Sequence, residues 1–469
     1  MTTTAGIPHD PSSAGTAVPD TDRSRRGTAA PRRAGIGWIV AGSLAAGLVA
    51  AVLLVAAPFI PAEETGVTGA VLCGFALGWA MLAGLSLRFT DQPQRWAAGP
   101  ALVMGAGGLL LIAFGTAVQA TLNWVWPPVM LATAIWMILR VRRQRPSVSG
   151  RWLLYPLFAI LALGSASGGY ETVREAIDAT YPMPGQLIQV GGHRLHLSCT
   201  GTGSPTVVLE PGAGASSANL GWITPAVARN TRVCVYDRAG RGWSEPADTV
   251  QDGTQIATDL HTLLQRGHVP GPYVLAGHSF GGLYVLTFAA RYPGEVAGLV
   301  LIDSTAPAWD VKPGTASPAE RGSYHAVGRV SALISISARF GLGRLYTHFA
   351  AEGLPPQDGD QVRVTAATAG NLRSTIDEYA GGAAPARQAA ALTDFADKPL
   401  FVLTAGSGHD AASTAAQNRL DRLSTNRVHR TVPGATPPSL VGDEADAAAT
   451  TRAILDVVSS VRSGQPLHG

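Results

Sequence analysis

Residues 274–284 read VLAGHSFGGLY, and this stretch decides how the second half of the chain folds. Its apolar start predicts a strand and its end predicts a helix, with G-x-S-x-G at residues 277–281 forming the turn between them. The glycines permit a tight turn that lifts the Ser279 side chain above the start of the helix, where the helix dipole stabilises negative charge. Ser279 is therefore a candidate nucleophile, and it requires a nearby histidine to accept its proton.

Short β-branched runs alternate with amphipathic stretches from residue 186 onward. Apolar strands that alternate with helices predict a largely parallel sheet covered on both faces, and an initial hairpin predicts an antiparallel edge. Residues 306–397 interrupt the alternation, and an insertion of this size at a strand end is typical of a lid. The predicted strands are QLIQV, RLHLSC, TVVLE, TRVCVYD, PYVLAG, VAGLVLID, PLFVLTAG and RVHRTVPG, and the predicted helices span about 219–229, 254–266, 280–291, 414–423 and 443–461.

The composition divides the chain into two unlike halves. Apolar residues make up 46% of its 469 residues and charged residues only 14%, and most of the apolar excess lies before residue 170. Residues 1–34 are polar and rich in Thr, Ser, Pro and Arg, which predicts a disordered tail without a cleavable signal peptide. A net charge of +3 gives no indication of a nucleic-acid partner, and the Ala, Gly and Arg bias is typical of a high-GC bacterial sequence.

Five apolar segments fill residues 35–170 and predict an all-α bundle of about five transmembrane helices. The first, AGIGWIVAGSLAAGLVAAVLLVAAPFI, is longer than the roughly 20 residues that a helix needs to cross a bilayer. The others span about 66–87, 99–120, 124–139 and 152–169. The fourth is short and contains Pro127 and Pro128, so its limits are open. A soluble bundle is the alternative, disfavoured because the segments are almost free of charge.

Arginines are distributed unevenly over the connections between these segments. The tail and the fourth connection are strongly basic and the second is weakly basic, whereas PAEET and TLNW, the first and third, contain no basic residue. The positive-inside rule therefore places the tail in the cytoplasm, and five crossings place residue 170 onward outside. This outward placement reverses if the fourth segment does not span the membrane. The arginines are Arg23, Arg25, Arg26, Arg32, Arg33, Arg88, Arg95, Arg140, Arg142, Arg143, Arg145 and Arg151.

The three cysteines fall into two groups. Cys73 lies in an apolar segment and is expected to be a small packing residue. Cys199 and Cys234 lie in two predicted strands and can form a bridge if these strands are neighbours, which requires an oxidising compartment. Two buried free thiols are the alternative.

These motifs together resemble the α/β-hydrolase fold family over about residues 186–463. Besides GHSFG, the stretch YDRAGRGWSE at 236–245 is similar to the family's sequence after its fourth strand, and VVLEPGAGASS at 207–217 is similar to the loop after its third strand. The resemblance implies a mostly parallel, eight-stranded sheet and an oxyanion hole formed by the backbone N–H groups of Ala213 and Phe280. It also implies that the strands of Cys199 and Cys234 are neighbours, which favours the bridge.

The resemblance leaves two candidates for the acid that orients the histidine. The family usually has this acid after its seventh strand, where PLFVLTAGSGHD nominates Asp410. Asp303, at the end of the sixth strand, is the other known position. The chain order Ser, acid, His favours Asp410, although either residue can instead cap a turn or a helix.

The family's histidine is expected just after the eighth strand, where this chain has Pro437 in PGATPPS. Proline offers no base, so another histidine must serve if the chain is catalytic. His278 adjoins the nucleophile, but the elbow points neighbouring side chains in different directions. His429 precedes Pro437 on a strand and lies about 26 Å from it at roughly 3.3 Å per residue. The remaining candidates are His409, beside Asp410, and His325 and His348 in the predicted lid.

Two hypotheses follow from these observations. The first is a multi-pass, membrane-anchored serine hydrolase that cleaves esters or amides of a small-molecule or lipid-like acyl substrate through an acyl-enzyme at Ser279. The second is a non-catalytic, ligand-binding protein that has kept the scaffold and lost its base. A transporter or sensor is disfavoured because the five apolar cores hold no charged residue. The sequence has no zinc-spaced Cys/His cluster, P-loop or dinucleotide motif, so neither metal nor cofactor is expected.

Overall fold

A computed structural model of the chain describes residues 35–143, 151–310 and 318–468, with backbone alone for 151–153 and 318–325. The predicted tail and residues 144–150 of the basic fourth connection lie outside the described residues. Five long helices come first in the chain. They are α1 Ile36–Ala56, α2 Glu64–Phe89, α3 Ala98–Phe114, α4 Thr116–Arg143 and α5 Arg151–Asp178.

Four helical stretches are long and apolar enough to cross a membrane within the described residues, and they are α1, α2, α3 with the 3-10 turn before it, and α4. Large apolar side chains point away from the bundle, for example Leu53 and Leu102, which are 65% and 73% exposed. An exposed apolar surface of this extent requires an apolar partner, and a lipid bilayer meets that requirement. The fifth crossing, by α5, stays a prediction.

The break between the third and fourth helices lies earlier than predicted. The sequence predicts a connection at TLNW, and this is wrong because residues 121–124 lie inside α4. Gly115 ends α3 instead, with φ of 53°, a conformation that glycine adopts without a Cβ clash. The helix α4 then continues through Pro127 and Pro128 for 28 residues in all, so the fourth segment is longer than its sequence pattern predicts.

Eight strands of the second half form one sheet. They are β1 Gln186–Val190, β2 His193–Thr200, β3 Thr206–Glu210, β4 Val233–Tyr236, β5 Tyr273–His278, β6 Val296–Ile302, β7 Leu400–Ala405 and β8 Arg427–Val432. Their order in the sheet is β1-β2-β4-β3-β5-β6-β7-β8. The pairs β1–β2 and β2–β4 are antiparallel and all others are parallel, as the initial hairpin and the later alternation predict.

Helices cover both faces of the sheet and bury its apolar side chains. Those outside residues 303–399 are α6 Ile223–Ala228, α7 Gly253–Arg266, α8 Phe280–Arg291, α14 Ala411–Leu420, α15 Ser439–Gly442 and α16 Glu444–Ser463. One face packs against α7 and α8 and the other against α6 and α16, so the parallel strands are apolar on both sides. Every residue of β3, β4 and β7 is buried, which explains their continuous apolar runs.

Residues 303–399, here called the insertion, separate β6 from β7, and their described parts, 303–310 and 318–399, lie between the sheet and the membrane helices. Arg339 forms an ion pair with Glu64 of α2 at 2.6 Å, and Arg344 forms one with Glu171 of α5 at 2.7 Å. Arg329 donates to the carbonyl oxygens that follow α1. The insertion therefore contacts the α1–α2 connection and the end of α5 together. Its helices are α9 Pro318–Ile336, α10 Leu342–Ala350, α11 Pro356–Thr365, α12 Ala369–Gly381 and α13 Ala383–Ala389.

A disulfide joins Cys199 and Cys234, which face each other on the neighbouring strands β2 and β4. Of the two alternatives, a disulfide and two free thiols, the structure has the disulfide. This bond links the antiparallel strand β2 to β4, which pairs with the parallel strands. Cys73 is the free cysteine among the described residues.

Replacing both Cys199 and Cys234 with Ala is expected to lower the free energy of unfolding by about 3–4 kcal/mol, because the bond closes a loop of 35 residues in the unfolded chain. Thermal unfolding of the purified chain with and without dithiothreitol measures this effect. Reductant should lower the melting temperature of the unmodified chain and leave that of the double variant unchanged. Equal responses of the two proteins would contradict the prediction.

Candidate active site

Ser279 occupies a sharp turn between β5 and α8. Its φ of 51° and ψ of −119° lie in a region that a residue with a Cβ rarely adopts, so the surrounding structure must hold it there. The Ser279 N–H donates to Ile302 O and its carbonyl accepts from Thr305 N–H, each at 3.0 Å. These bonds tie the turn to the end of β6 and leave the serine side chain partly exposed.

The two glycines of G-x-S-x-G are required by close backbone approach. A Cβ on Gly277 would lie 2.5 Å from Gly281 O, and a Cβ on Gly281 would lie 2.4 Å from Glu210 O. Both distances are shorter than real Cβ contacts, so these positions have no room for a side chain. The motif therefore packs the start of α8 directly against the end of β3.

The loop after β3 is held from below by the guanidinium of Arg238. This buried group donates to Pro211 O at 2.8 Å and to Gly212 O at 2.7 Å, and it pairs with the carboxylates of Glu210 at 2.5 Å and Glu378 at 2.9 Å. Because C=O and N–H of a trans peptide point in opposite directions, the Ala213 N–H points away from Arg238. A Cβ on Gly212 would lie 3.3 Å from Ser279 Cβ, so the loop passes beside the serine.

Ala213 lies in the loop that passes beside Ser279, and Phe280 directly follows Ser279 in the chain. Among the described residues, Ala213 N–H donates no backbone hydrogen bond. Phe280 is the first residue of α8, and the N–H groups of a first helical turn have no partner within the helix. Tyr379 of the insertion donates to Ala213 O at 3.2 Å and thereby holds the loop from above. Two backbone donors beside a serine are the arrangement that an oxyanion requires.

Two carboxylates, of Glu210 and Glu378, and two guanidinium groups, of Arg238 and Arg241, form a buried network of ion pairs beneath this loop. Burial raises the pKa of Glu210 to about 7, although Arg238 acts in the opposite direction. Burial also acts to raise the pKa of Glu378, but Arg238 and Arg241 outweigh it and hold that pKa below its usual value. Glu378 further accepts from Gly214 N–H at 2.9 Å. The insertion thus supplies a carboxylate that completes the charge balance beneath the loop.

Asp303 and His409 form a hydrogen-bonded pair at the neighbouring strand ends. The buried Asp303 Oδ1 accepts from Ala405 N–H at 2.8 Å and bonds His409 Nε2 at 2.7 Å. The carboxylate can only accept, so Nε2 carries the proton and Nδ1 is the basic nitrogen of the neutral ring. Ser279 and Asp303 directly follow the adjacent strands β5 and β6, and neighbouring strands lie about 4.8 Å apart in such sheets.

Asp410 lies elsewhere. Its carboxylate accepts from Ser413 N–H and Oγ, each at 2.7 Å, and caps the N-terminus of α14. The side chain is exposed, and these hydrogen bonds lower its pKa below the usual value. The assignment of Asp410 as the orienting acid stays a prediction, whereas the carboxylate that bonds His409 is that of Asp303.

The other candidate histidines form no hydrogen bond with Ser279 in the part of the chain that the structure describes. His278 Nε2 bonds Pro437 O at 2.9 Å, so Pro437 lies against the elbow. Burial lowers the pKa of His278 and favours its neutral form. His429 bonds Thr404 Oγ1 at 2.8 Å within the sheet, and His348 is exposed on α10. The side chain of His325 lies outside the described part of the chain.

Three contributors to the site are missing from the sequence-based prediction. Glu210 is the last residue of the buried strand β3 and Arg238 lies two residues after the buried strand β4, and a charged residue at such a strand end is a signal that could have been used. Glu378 lies in the insertion, where no sequence signal identifies it. Metal binding has no candidate here, since no group of three or more His, Cys, Asp or Glu side chains suited to a metal ion occurs among the described residues.

Comparison with known proteins agrees with this architecture. The family described as alpha/beta hydrolase fold matches residues 205–435. Together with the eight-stranded sheet, this match shows that the part of the chain from β1 to α16 has the α/β-hydrolase fold. A fold of this kind suggests hydrolase activity.

Curated relatives match only parts of the chain. An uncharacterized protein of Schizosaccharomyces pombe is 31% identical over 212 residues, which are 39% of this chain and 37% of that protein. A 2-hydroxy-6-oxo-2,4-heptadienoate hydrolase of Pseudomonas putida is 27% identical over 136 residues, which are 28% of this chain and 48% of that enzyme. The matched stretches therefore span less than half the length of these relatives.

Solved structures give similar partial matches. An epoxide hydrolase, CorEH, has a TM-score of 0.46 and 22% identity, covering 59% of this chain and 99% of that one. A thermophilic esterase from Thermogutta terrifontis has a TM-score of 0.43 and 21% identity, also covering 59% of this chain and 99% of that one.

Proposed function

We propose that this protein is a membrane-anchored serine hydrolase that cleaves ester or amide bonds, with Ser279 as nucleophile and His409 as base. The observation that carries the proposal is the position of Ser279, held in a strained turn beside the loop that carries Ala213 and one strand away from the Asp303–His409 pair. Strained backbone of this kind persists where function requires it.

In the proposed reaction, His409 Nδ1 takes the proton of Ser279 Oγ as that oxygen attacks the substrate carbonyl. The negative charge moves to the carbonyl oxygen, which accepts from the N–H groups of Ala213 and Phe280. His409 then gives its proton to the leaving alcohol or amine, and the acyl group remains on Ser279. A water molecule releases the acid by the same steps, with His409 again as base.

Asp303 acts in this scheme as the orienting acid. Its bond to His409 Nε2 selects the tautomer in which Nδ1 is free, and its negative charge stabilises the imidazolium that forms. Ser279 Oγ has no hydrogen bond in the described structure, so the short segment that carries His409 must close toward it when substrate binds. Catalytic hydrogen bonds are often long before substrate is bound.

We also propose that the five helices anchor the protein and that the hydrolase part lies outside the cytoplasm. The insertion binds the α1–α2 connection and the end of α5 together, and the four crossings of α2 to α5 between these two points would put them on one side of the membrane. The disulfide supports this side, because such bonds persist in oxidising compartments.

Labelling by a charged, membrane-impermeant fluorophosphonate tests both proposals in cells that express the full chain. We expect intact cells to give rapid labelling of the unmodified protein and of a Ser463→Ala control, and none of Ser279→Ala. Labelling that requires permeabilised cells would contradict the outward placement.

Absence of labelling in every preparation of the unmodified chain would overturn catalysis. Recovery of labelling by Pro437→His would then favour the alternative, a non-catalytic ligand-binding protein on the same scaffold. That alternative is favoured by one observation, the proline that stands where the family resemblance implies a histidine.

A further inference from the structure

The membrane helices enclose a cavity of about 670 Å³ that the hydrolase reaction does not use. Helices α2, α3, α4 and α5 form its walls, and the insertion closes one end with Ile336, Arg339 and Phe340. The walls are mostly apolar, with Leu72, Met104, Leu111, Met130 and Leu161 among the lining side chains. This volume lies within the range of about 300–1,000 Å³ that is typical of small-molecule sites.

The cavity opens sideways on the outer surface of the bundle. Ile160 and Leu163 of α5 line it and are 66% and 72% exposed. This surface would face the hydrocarbon of a bilayer if the helices span it. An occupant can therefore enter from the lipid phase, and the apolar walls favour an acyl chain over water.

Polar groups collect at the end that the insertion closes. The Nε of Arg339 forms the ion pair with Glu64, and Nη1 of the same guanidinium lies 3.8 Å from Glu175 Oε2. Glu171 also lines this end and pairs with Arg344. Three carboxylates thus line the cavity, with Arg339 beside two of them and Arg344 beside the third. The net charge of this end stays negative, so a phosphate or a free carboxylate would meet net repulsion there.

Uncharged hydrogen-bonding groups complete the polar end. Gln119 and Asn123 of α4 line it, as do Ser167 and Thr172 of α5. Gln119 donates to Glu64 at 3.3 Å and Ser167 donates to Phe340 O at 2.9 Å. Amides and hydroxyls of this kind suit the hydroxyl and ester oxygens of an uncharged headgroup.

We propose that this cavity binds a neutral acyl amphiphile, with its acyl chain between the membrane helices and its uncharged glycerol-like head against Gln119, Arg339 and Glu175. The amphiphile would contact the same insertion that holds Ala213 through Tyr379. Binding at this site goes beyond the proposed hydrolase reaction and does not require it.

Photo-crosslinking with a diazirine-bearing monoacylglycerol tests the proposal on the purified full chain in nanodiscs. We expect saturable crosslinking to peptides of α2 to α5, competed by unmodified monoacylglycerol and far less by the matching fatty acid or phosphatidate.

A cavity-filling variant supplies the structural control. A Cβ on Gly164 would lie 3.6 Å from the Phe340 ring, an ordinary contact, so Gly164→Leu should fold and fill the site. It should reduce crosslinking about tenfold or more, because the leucine occupies space that buried methylenes of the ligand would use. Gly84→Leu should leave crosslinking unchanged, since nothing lies within 4 Å of a Cβ there.

Three outcomes would overturn the proposal: unsaturable labelling spread over all helices, equal competition by the anionic lipids, or full crosslinking of Gly164→Leu. The measurement is repeated on Ser279→Ala, which should crosslink as the unmodified chain does. Failure of the hydrolase proposal is therefore seen in fluorophosphonate labelling and failure of this one in crosslinking.

Discussion

Replacing His409 with Asn is expected to lower kcat about 10⁶-fold, since the loss of the catalytic base has an effect of this order in serine hydrolases. Asn keeps a hydrogen-bonding side chain that can still reach Asp303, but it cannot accept a proton from Ser279. The rate of hydrolysis of a p-nitrophenyl ester by the purified chain measures the change. His348→Asn and His429→Asn are matched controls that should retain activity, because these side chains lie on α10 and within the sheet.

Substitution of the two candidate acids, Asp303 and Asp410, further tests the proposal that His409 is the base, because an orienting acid must bond that histidine. Asp303→Asn should lower kcat about 10⁴-fold, because the amide can offer its N–H₂ to His409 and favour the wrong tautomer. Asp410→Asn should leave kcat nearly unchanged, because Asn is as good an N-cap as Asp. A large loss in Asp410→Asn with full activity in Asp303→Asn would instead support Asp410 as the acid.

The elements of this fold that the sequence predicts well are those whose structure is determined by a short local sequence pattern. The helix predicted at 280–291 has the bounds of α8, Phe280–Arg291, because the G-x-S-x-G turn marks its start and the apolar pattern marks its length. Strands β3 and β7 are likewise recognisable, since both are apolar on two faces and bounded by turn residues. In each case one local pattern contains the whole signal.

The pairing of Asp303 with His409 depends on chain geometry that no local pattern contains. These residues are 106 positions apart, and the backbone beside the bond is unusual at both ends, with φ of 46° at Asp303 and φ of 87° at Gly408. Either conformation could have pointed the side chain elsewhere. The break at Gly115 was missed for a related reason, because a glycine inside an apolar segment is equally compatible with an uninterrupted helix.

Replacing Arg238 with Met is expected to lower the free energy of unfolding by about 3–5 kcal/mol, because the carboxylates of Glu210 and Glu378 then lose a counter-ion that they both share in the interior. For a domain of this size that corresponds to a decrease of about 6–20 °C in melting temperature. Arg291→Met is the control and should change it little, since Arg291 is exposed and contacts a tyrosine ring.

A second substitution at one of the two carboxylates tests whether a buried charge without a counter-ion causes the loss of stability in Arg238→Met. Burial already raises the pKa of Glu210 to about 7, so this group can become neutral, whereas Arg238 and Arg241 oppose burial and keep Glu378 ionised. Adding Glu210→Gln to Arg238→Met should recover part of the lost stability, because it removes the carboxylate that has lost its cation, whereas Glu378 keeps its ion pair with the buried Arg241 at 2.7 Å. A melting temperature of Arg238→Met equal to that of the unmodified chain, or no recovery in the double variant, would mean that the loop carrying Ala213 does not depend on this charge network.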